Sequence, residues 1–251
     1  LMTARTMVEK EPNYSYATAR LLLNNMENEV CGFLGIKERE NRAEMYKQAL
    51  HKTIDKGIEL DFISEELKKF DLEKLGSAIQ EERDFQFKYL GLQTLYDRYF
   101  ITHEETRYEM PQVFFMRVAM GLAINETNKN ERAVEFYKLL SSFDYMSSTP
   151  TLFNSGTNRP QLSSCYLTTV PDDLSGIYGA IRDNALLSKW AGGLGNDWTP
   201  VRALGSRIKG TNGKSQGIVP FLKVSNDTAV AVNQGGKRKG AFCAYLECWH
   251  M

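Results

Sequence analysis

The chain of 251 residues is long enough for one large domain or two ordinary ones with a well-buried core. Its 31 basic and 31 acidic residues cancel, so no overall positive field attracts nucleic acid or an anionic membrane, and neither is an expected partner. The four cysteines, Cys31, Cys165, Cys243 and Cys248, have neither metal-ligand spacing nor the density of a disulfide framework, and no signal peptide or long apolar run is present. We therefore expect a cytoplasmic location and no metal site in this chain.

Residues 1 to about 150 are predicted to be mainly helical, because amphipathic segments alternate with short polar turns and only six of the 19 glycines fall there. The segment beginning at Pro111, PQVFFMRVAMGLAI, places Phe114, Val118 and Leu122 on one stripe, which predicts a helix that packs into the core. The aromatic and β-branched stretch 90–104 predicts a short hairpin or an edge strand.

After residue 145 the pattern changes to strands alternating with helices, and the other 13 glycines occur there. Such alternation implies a mainly parallel sheet covered by helices, and a barrel still incomplete at residue 251 is one form of it. The predicted elements are a strand at 165–170, a helix at 174–190, a short strand at 200–204, a helix at 218–232 and a strand at 241–246.

The stretch QLSSCYLTTVPDD, residues 161–173, combines a thiol with two carboxylates. Cys165 opens a β-type run, and Asp172 and Asp173 follow its end. We predict a buried strand roughly 20 Å long, whose two ends can serve two small-molecule sites. The alternatives are that Cys165 is an ordinary core thiol and that the aspartates cap the next helix.

Three glycine-bearing loops, at 191–197, 205–217 and 233–240, carry nearby basic residues or exposed backbone N–H groups. Such loops can hold phosphate through backbone N–H groups and charge-assisted bonds. None fits the Walker pattern or the dinucleotide fingerprint, and tight turns are the alternative explanation.

Four segments in this order, STPTLFNSGTNRPQLSSCYLTT, SKWAGGLG, VRALGSRIKGTNG and NQGGKRKGAF, closely resemble the large catalytic subunit of class I ribonucleotide reductases. The resemblance is densest over 146–250 and extends over most of the helical part. In that family a helical domain precedes a ten-stranded α/β barrel, so the resemblance implies a helical domain at 1–160 and a truncated first portion of the barrel at 161–251. It also implies reduction of ribonucleoside diphosphates to their deoxy forms.

The resemblance makes Cys165 one member of a redox-active pair. As a protonated thiol it would give a proton to the departing 2′-hydroxyl and then supply electrons as a disulfide forms with its partner cysteine. The positions that would contact the ribonucleoside diphosphate substrate are Thr149, Ser164, Ala191 and Gly192.

The resemblance also implies an allosteric site for a deoxynucleoside triphosphate or ATP at the interface of a large-subunit homodimer. Asp172 would hold the ribose, with Asp173 as the adjacent alternative. The other expected effector residues are Lys189 and Arg202 on the phosphates and Ile208 beside the nucleotide. Gln234 and Arg238 would report effector identity to the substrate base.

The resemblance covers only the first half of the family's barrel. In the family, the second half carries the radical cysteine and the redox partner of Cys165. We therefore expect a piece of a longer protein that is inactive alone and holds no bound cofactor. Its expected partners are the missing C-terminal half, a small subunit that carries the metal-radical cofactor, and thioredoxin or glutaredoxin as reductant. A catalytically inactive nucleotide-binding regulatory module and a simple thiol oxidoreductase are the alternatives; no CxxC motif supports the latter.

Overall fold

The computed structural model describes residues 1–189, 192–232 and 241–250. The chain divides into two compact units, Leu1–Leu162 and Ser163–Met251. No helix in the described ranges is both long and apolar enough to cross a membrane.

The first unit is mainly helical. A π-helical segment, Leu95–Tyr99, follows the helix Tyr89–Thr94, and a two-stranded hairpin follows the segment. The hairpin predicted in 90–104 therefore begins only near the end of that stretch. The elements in chain order are α1 Met2–Thr6, α2 Tyr14–Leu34, α3 Arg42–Glu59, α4 Leu72–Ser77, α5 Tyr89–Thr94, β1 Thr102–His103, β2 Thr106–Arg107, α6 Pro111–Ala123, α7 Lys129–Ser141 and α8 Thr149–Asn154.

Helix α6 lies at the centre of the first unit's core. Every residue from Pro111 to Met120 is buried, including the polar Gln112 and Arg117. The prediction of a core helix is correct, and burial extends beyond the predicted stripe, because other elements surround α6 and leave it no solvent-exposed side in this stretch. Its two polar side chains must therefore find partners inside the protein.

Arg117 finds its partners in a fully buried ion pair. Its Nε donates to Glu109 Oε1 at 2.5 Å, and its Nη1 donates to the carbonyl of Ser155 at 2.6 Å. The second carboxylate oxygen of Glu109 accepts the backbone N–H of Ile101 at 2.9 Å. Because neither charged side chain has any exposure, these bonds replace the water that each charge loses on folding.

A second buried network surrounds Asp84. Its carboxylate accepts from Arg42 Nη2 and from Gln112 Nε2, both at 2.9 Å, and from the hydroxyl of Tyr46. Burial raises the pKa of Asp84 to about 7, although these donors act in the opposite direction. The network joins α3 and α6 to the segment that precedes α5.

The second unit is a three-stranded parallel sheet with two crossover helices. Its elements are β3 Cys165–Thr169, α9 Leu174–Ser188, β4 Gly193–Asp197, α10 Val219–Ala231 and β5 Phe242–Tyr245, and the sheet order is β3-β4-β5. This arrangement confirms the predicted fold class, a helical part followed by a parallel α/β part. The described residues form no closed barrel.

The second strand of this sheet is not where the sequence predicts it. Residues 200–204 form a turn and a loop, whereas β4 occupies Gly193–Asp197. A Cβ at Gly195 would lie 2.6 Å from Leu167 Cδ2 and 2.8 Å from the Tyr245 ring. These contacts are with the outer atoms of exposed side chains, so they do not require glycine. The strand is missed because glycine has low β-propensity. Most of the predicted loop at 191–197 is therefore strand.

Strand β3 is not buried as predicted. Cys165, Leu167 and Thr169 are exposed and the residues between them are half-buried; Leu167 is 80% exposed. The reason is that β3 lies at the sheet edge and that α9 and α10 cover only one face. Leu194 and Phe242 face these helices, whereas the alternate positions lie on the opposite, uncovered face.

Candidate nucleotide cleft and candidate redox cysteine

A cleft in the second unit lies at the carboxyl ends of β3 and β4. Asp172 and Asp173 follow β3, and Val201 and Arg202 follow β4; all four line the cleft. Because the two strands are parallel, the segments that leave them meet at one edge of the sheet. Open parallel sheets bind ligands in this place.

Asp172 and Arg202 form the polar centre of the cleft. Arg202 Nε lies 3.0 Å from each carboxylate oxygen of Asp172, and its backbone N–H also donates to Oδ1 at 3.0 Å. Both side chains are about one-third exposed, 35% for Asp172 and 31% for Arg202, so the pair is fixed in position yet open to a ligand.

The ion pair favours the charged form of both side chains. Partial burial acts to raise the pKa of Asp172, but the hydrogen bonds from Arg202 outweigh it and hold the pKa below its usual value. The same hydrogen bond raises the pKa of Arg202. The cleft therefore contains a carboxylate and a guanidinium that are both charged at neutral pH.

Asp173 has a different role from its neighbour. Its Oδ1 accepts the backbone N–H of Gly176 at 2.8 Å and so caps the N-terminus of α9. The helix-cap alternative is thus correct for Asp173, whereas the Asp172 carboxylate is bonded to Arg202. Of the two aspartates, Asp172 is the better candidate for contacting a ligand.

The loop at 205–217 folds into a small hairpin that forms one wall of the cleft. Arg207 and Lys214 form an isolated antiparallel bridge, and Ile208 N–H donates to the carbonyl of Gly213 at 3.1 Å. Gly205 has a φ of 80°, a left-handed conformation that favours glycine at the start of the hairpin. The hairpin brings Ile208 to the cleft. Its place beside a nucleotide, which the resemblance implies, stays a prediction.

The cleft encloses about 380 Å³. Its wall combines apolar side chains with polar groups that were not predicted from the sequence; Lys214, Ser215 and Gln216 are the unpredicted ones. Their position in the same glycine-rich loop as Ile208 was the available signal. The apolar lining includes Leu174, Ile177, Ile208, Val201, Pro220 and Phe221.

Lys189 does not line this cleft in the same chain. It follows the last residue of α9, whereas Asp173 caps the first, and a helix of 15 residues is about 22 Å long. A phosphate bound beside Arg202 and one bound beside Lys189 of the same chain would therefore lie far apart. The predicted role of Lys189 in phosphate binding therefore stays a prediction, and it would require a ligand that contacts two subunits of the expected homodimer.

Cys165 lies at the opposite end of β3, with its thiol exposed on the uncovered face. The Ser164 hydroxyl donates to Sγ over 3.7 Å. Gly193 is paired with Cys165 across the sheet, and a Cβ there would lie 3.7 Å from Sγ. The thiol is thus accessible to solvent, and its neighbour across the sheet, Gly193, has no side chain to cover it.

Cys243 lies on the same face but cannot pair with Cys165. Cys165 is in register with Gly193, whereas Cys243 is in register with Gly195, one strand further on. Two strand spacings alone separate their Cα atoms by about 9.6 Å, more than the roughly 7 Å a disulfide can span.

The remaining predicted substrate residues are divided between the two units. Thr149 begins α8 in the first unit, and its hydroxyl lies 3.0 Å from the hydroxyl of Tyr99. Gly192 lies in the second unit, and its N–H donates to the carbonyl of Leu187 at 3.3 Å. Ala191, Gln234 and Arg238 lie outside the described residues, so their predicted roles stay predictions.

The fold and the cleft define a class: an α/β protein with a charged ligand site at the carboxyl ends of parallel strands. Residues 163–251 match the family described as ribonucleotide reductase, barrel domain, and residues 85–160 match ribonucleotide reductase, all-alpha domain. The chain belongs to the ribonucleotide reductase family and corresponds to part of its large subunit.

Similar curated proteins carry the same description. The ribonucleoside-diphosphate reductase subunit alpha of Chlamydia trachomatis is 55% identical over 251 residues, which are all of this chain and 24% of that protein. The subunit alpha of Helicobacter pylori is 45% identical over 98% of this chain and 31% of its own length. The large chain of Schizosaccharomyces pombe is 40% identical over 99% of this chain and 30% of its own. The chain thus spans about a quarter to a third of these relatives.

Proposed function

We propose that this chain is part of a ribonucleoside-diphosphate reductase large subunit and binds a deoxynucleoside triphosphate or ATP in the cleft at Asp172 and Arg202. The observation that carries the proposal is the charged pair at the carboxyl ends of β3 and β4, inside a cleft of about 380 Å³. That volume is within the range of small-molecule sites.

The groups in the cleft suit the three parts of a nucleotide. Asp172 supplies carboxylate oxygens that accept hydrogen bonds from a ribose hydroxyl. Arg202 supplies a guanidinium, which forms strong bonds to phosphate oxygens, and Lys214 adds a second cation. Ile208 and Phe221 offer an apolar surface for the base.

The proposed role of Cys165 is reduction of the substrate ribose. The thiol donates a proton to the departing 2′-hydroxyl, which leaves as water. Cys165 and a partner cysteine outside this chain then form a disulfide, and these two electrons reduce the substrate carbon. Thioredoxin or glutaredoxin returns the disulfide to two thiols. The radical that begins the reaction comes from the small subunit.

Isothermal titration with deoxynucleoside triphosphates and ATP tests the cleft. We expect Arg202→Gln to weaken binding by about 10- to 100-fold, the effect of losing a hydrogen bond to a charged group. Asp172→Asn should weaken it as well. Arg182→Gln is the matched control, because Arg182 is 72% exposed on α9 and, among the described residues, forms an ion pair with its neighbour Asp183. Equal affinity in Arg202→Gln and Arg182→Gln would refute the proposed cleft.

Turnover tests the thiol. The chain alone should not reduce ribonucleotides, and addition of the remaining large-subunit segment and the small subunit should give activity. Cys165→Ser should then abolish turnover, whereas Cys243→Ser, the other exposed thiol on this sheet face, should retain it. Turnover by Cys165→Ser would contradict the assignment.

A regulatory nucleotide-binding module is the second candidate. It is favoured by the cleft, whose lining residues all lie in the second unit, while Cys165 has no partner thiol within disulfide distance among the described residues. Effector binding that persists while the reconstituted assembly shows no turnover would support this second function. The assembly state with effector bound, measured by sedimentation, tests the proposed homodimer.

A further inference from the structure

Tyr99 is bonded to the residue that is expected to hold the substrate in the first unit. Its hydroxyl oxygen lies 3.0 Å from Thr149 Oγ1. The Tyr99 ring stacks on the ring of Phe153, with centroids 4.6 Å apart and an interplanar angle of 20°. Phe153 and Thr149 both belong to α8, so Tyr99 contacts this helix through its ring and its hydroxyl together.

The other end of α8 is held by the buried Arg117. Its Nη1 donates to the carbonyl of Ser155 at 2.6 Å, and its Nη2 donates to the carbonyl of Leu152 at 3.4 Å. The Ser155 hydroxyl donates to the carbonyl of Val118 at 2.7 Å. Helix α8 is therefore fixed to α6 at its C-terminal end, and Tyr99 fixes the side chain at its first residue.

Either hydroxyl can donate in the contact between Tyr99 and Thr149, and the direction decides what the Thr149 hydroxyl can bind. A threonine hydroxyl has one proton and two acceptor positions. When the phenol of Tyr99 donates to Thr149 Oγ1, the proton of Thr149 must point elsewhere. Thr149 is the first residue of its helix, so no preceding helical turn offers a carbonyl to accept that proton.

We infer that Tyr99 is a positioning residue that holds the Thr149 hydroxyl as a donor to a phosphate oxygen of the ribonucleoside diphosphate. The inference rests on the proposed reductase function and on the substrate contact that the family resemblance implies for Thr149. The chain of donors runs from Tyr99 to Thr149 to the phosphate, and each hydrogen bond polarises the next. Since phosphate is common to all substrates, the effect of Tyr99 is independent of the base.

Steady-state kinetics of the complete reductase with Tyr99→Phe tests the inference, because this change removes the hydroxyl and keeps the stacked ring. We expect KM to rise about two- to tenfold, by the same factor for cytidine and guanosine diphosphates, with kcat changed less than about twofold. Tyr96→Phe is the matched control: Tyr96 lies on the same π-helical segment, but its hydroxyl donates to Glu29 at 2.7 Å. It should leave KM unchanged.

A double-mutant cycle separates this inference from the proposed function. Thr149→Val should raise KM, and Tyr99→Phe should add nothing further in that background. Unchanged KM in Thr149→Val overturns the substrate role of Thr149 and the inference with it. A raised KM in Thr149→Val with unchanged KM in Tyr99→Phe, or additive effects of the two, overturns the positioning role alone. A lower melting temperature of Tyr99→Phe with unchanged KM assigns Tyr99 to packing and also overturns it.

Discussion

The buried ion pair of Arg117 and Glu109 is predicted to contribute heavily to the stability of the first unit. Arg117→Met keeps much of the side-chain volume but removes the guanidinium. Glu109 then remains a fully buried carboxylate whose described donor is the backbone N–H of Ile101, at 2.9 Å. The carbonyl of Ser155 loses its 2.6 Å donor as well.

The expected loss follows from these contacts. Removing one partner of a buried ion pair costs about 3–5 kcal/mol, because the other charge stays buried without compensation. A typical domain is stable by only about 5–15 kcal/mol. We therefore expect Arg117→Met to lower the free energy of unfolding of the first unit by at least about 3 kcal/mol.

Urea denaturation of the whole chain can measure this loss. All three tryptophans, Trp190, Trp198 and Trp249, lie in the second unit, so fluorescence reports that unit while far-UV circular dichroism is dominated by the helical first unit. Arg117→Met should shift the circular dichroism transition to a lower urea concentration.

An exposed arginine is the control for this prediction. Arg132 on α7 also pairs with glutamate, 2.5 Å from Glu135, but its side chain is 38% exposed. Such pairs contribute about 0.2–1 kcal/mol, so Arg132→Met should have a small effect. If Arg117→Met costs less than about 1 kcal/mol, as Arg132→Met should, the reasoning from burial is refuted.

Three further predictions concern the sheet, a buried carboxyl and a helix cap. Gly195→Ala should change the unfolding free energy of the second unit by less than about 1 kcal/mol, because its Cβ meets the outer atoms of Leu167 and Tyr245, which are 80% and 52% exposed and can shift aside. Gly179→Ala on α9 meets nothing within 4 Å and should stabilise the unit slightly; urea titration followed by tryptophan fluorescence measures both, and a loss of more than about 2 kcal/mol in Gly195→Ala would contradict this reasoning. Because the pKa of Asp84 is about 7 in the folded state and near 3.9 in an unfolded chain, the folded state binds more protons between these values, so its unfolding free energy should fall as pH rises through this window, by up to about 1.4 kcal/mol per pH unit. Denaturation across that range should show a slope that Asp84→Asn reduces; an identical slope in the variant would contradict the assignment. Asp173→Ala should cost about 0.5–2 kcal/mol through loss of the α9 cap, and Asp173→Asn or Asp173→Ser should recover most of it in the same fluorescence assay.

The sequence by itself determined the order and type of many elements. Helical periodicity and the later alternation of strands and helices indicated a helical part followed by a parallel α/β part. The boundaries predicted for α9, α10 and β5 agree with the structure within about two residues. The ordered motifs also indicated the family. These features depend on residues that are close together in the sequence or on the order of motifs along it, so they can be recognised without the tertiary structure.

Only the tertiary structure decided which residues share a site and which are buried. Strand β4 was missed because its glycines, Gly193 and Gly195, have low β-propensity, and the segment becomes a strand through its pairing with β3 on one side and β5 on the other. The exposure of β3 depends on which face α9 and α10 cover, and the polarity inside α6 depends on Glu109 and Asp84 reaching Arg117 and Gln112. The pairing of Asp172 with Arg202 joins residues 30 positions apart through the parallel connection of two strands, which no local pattern specifies.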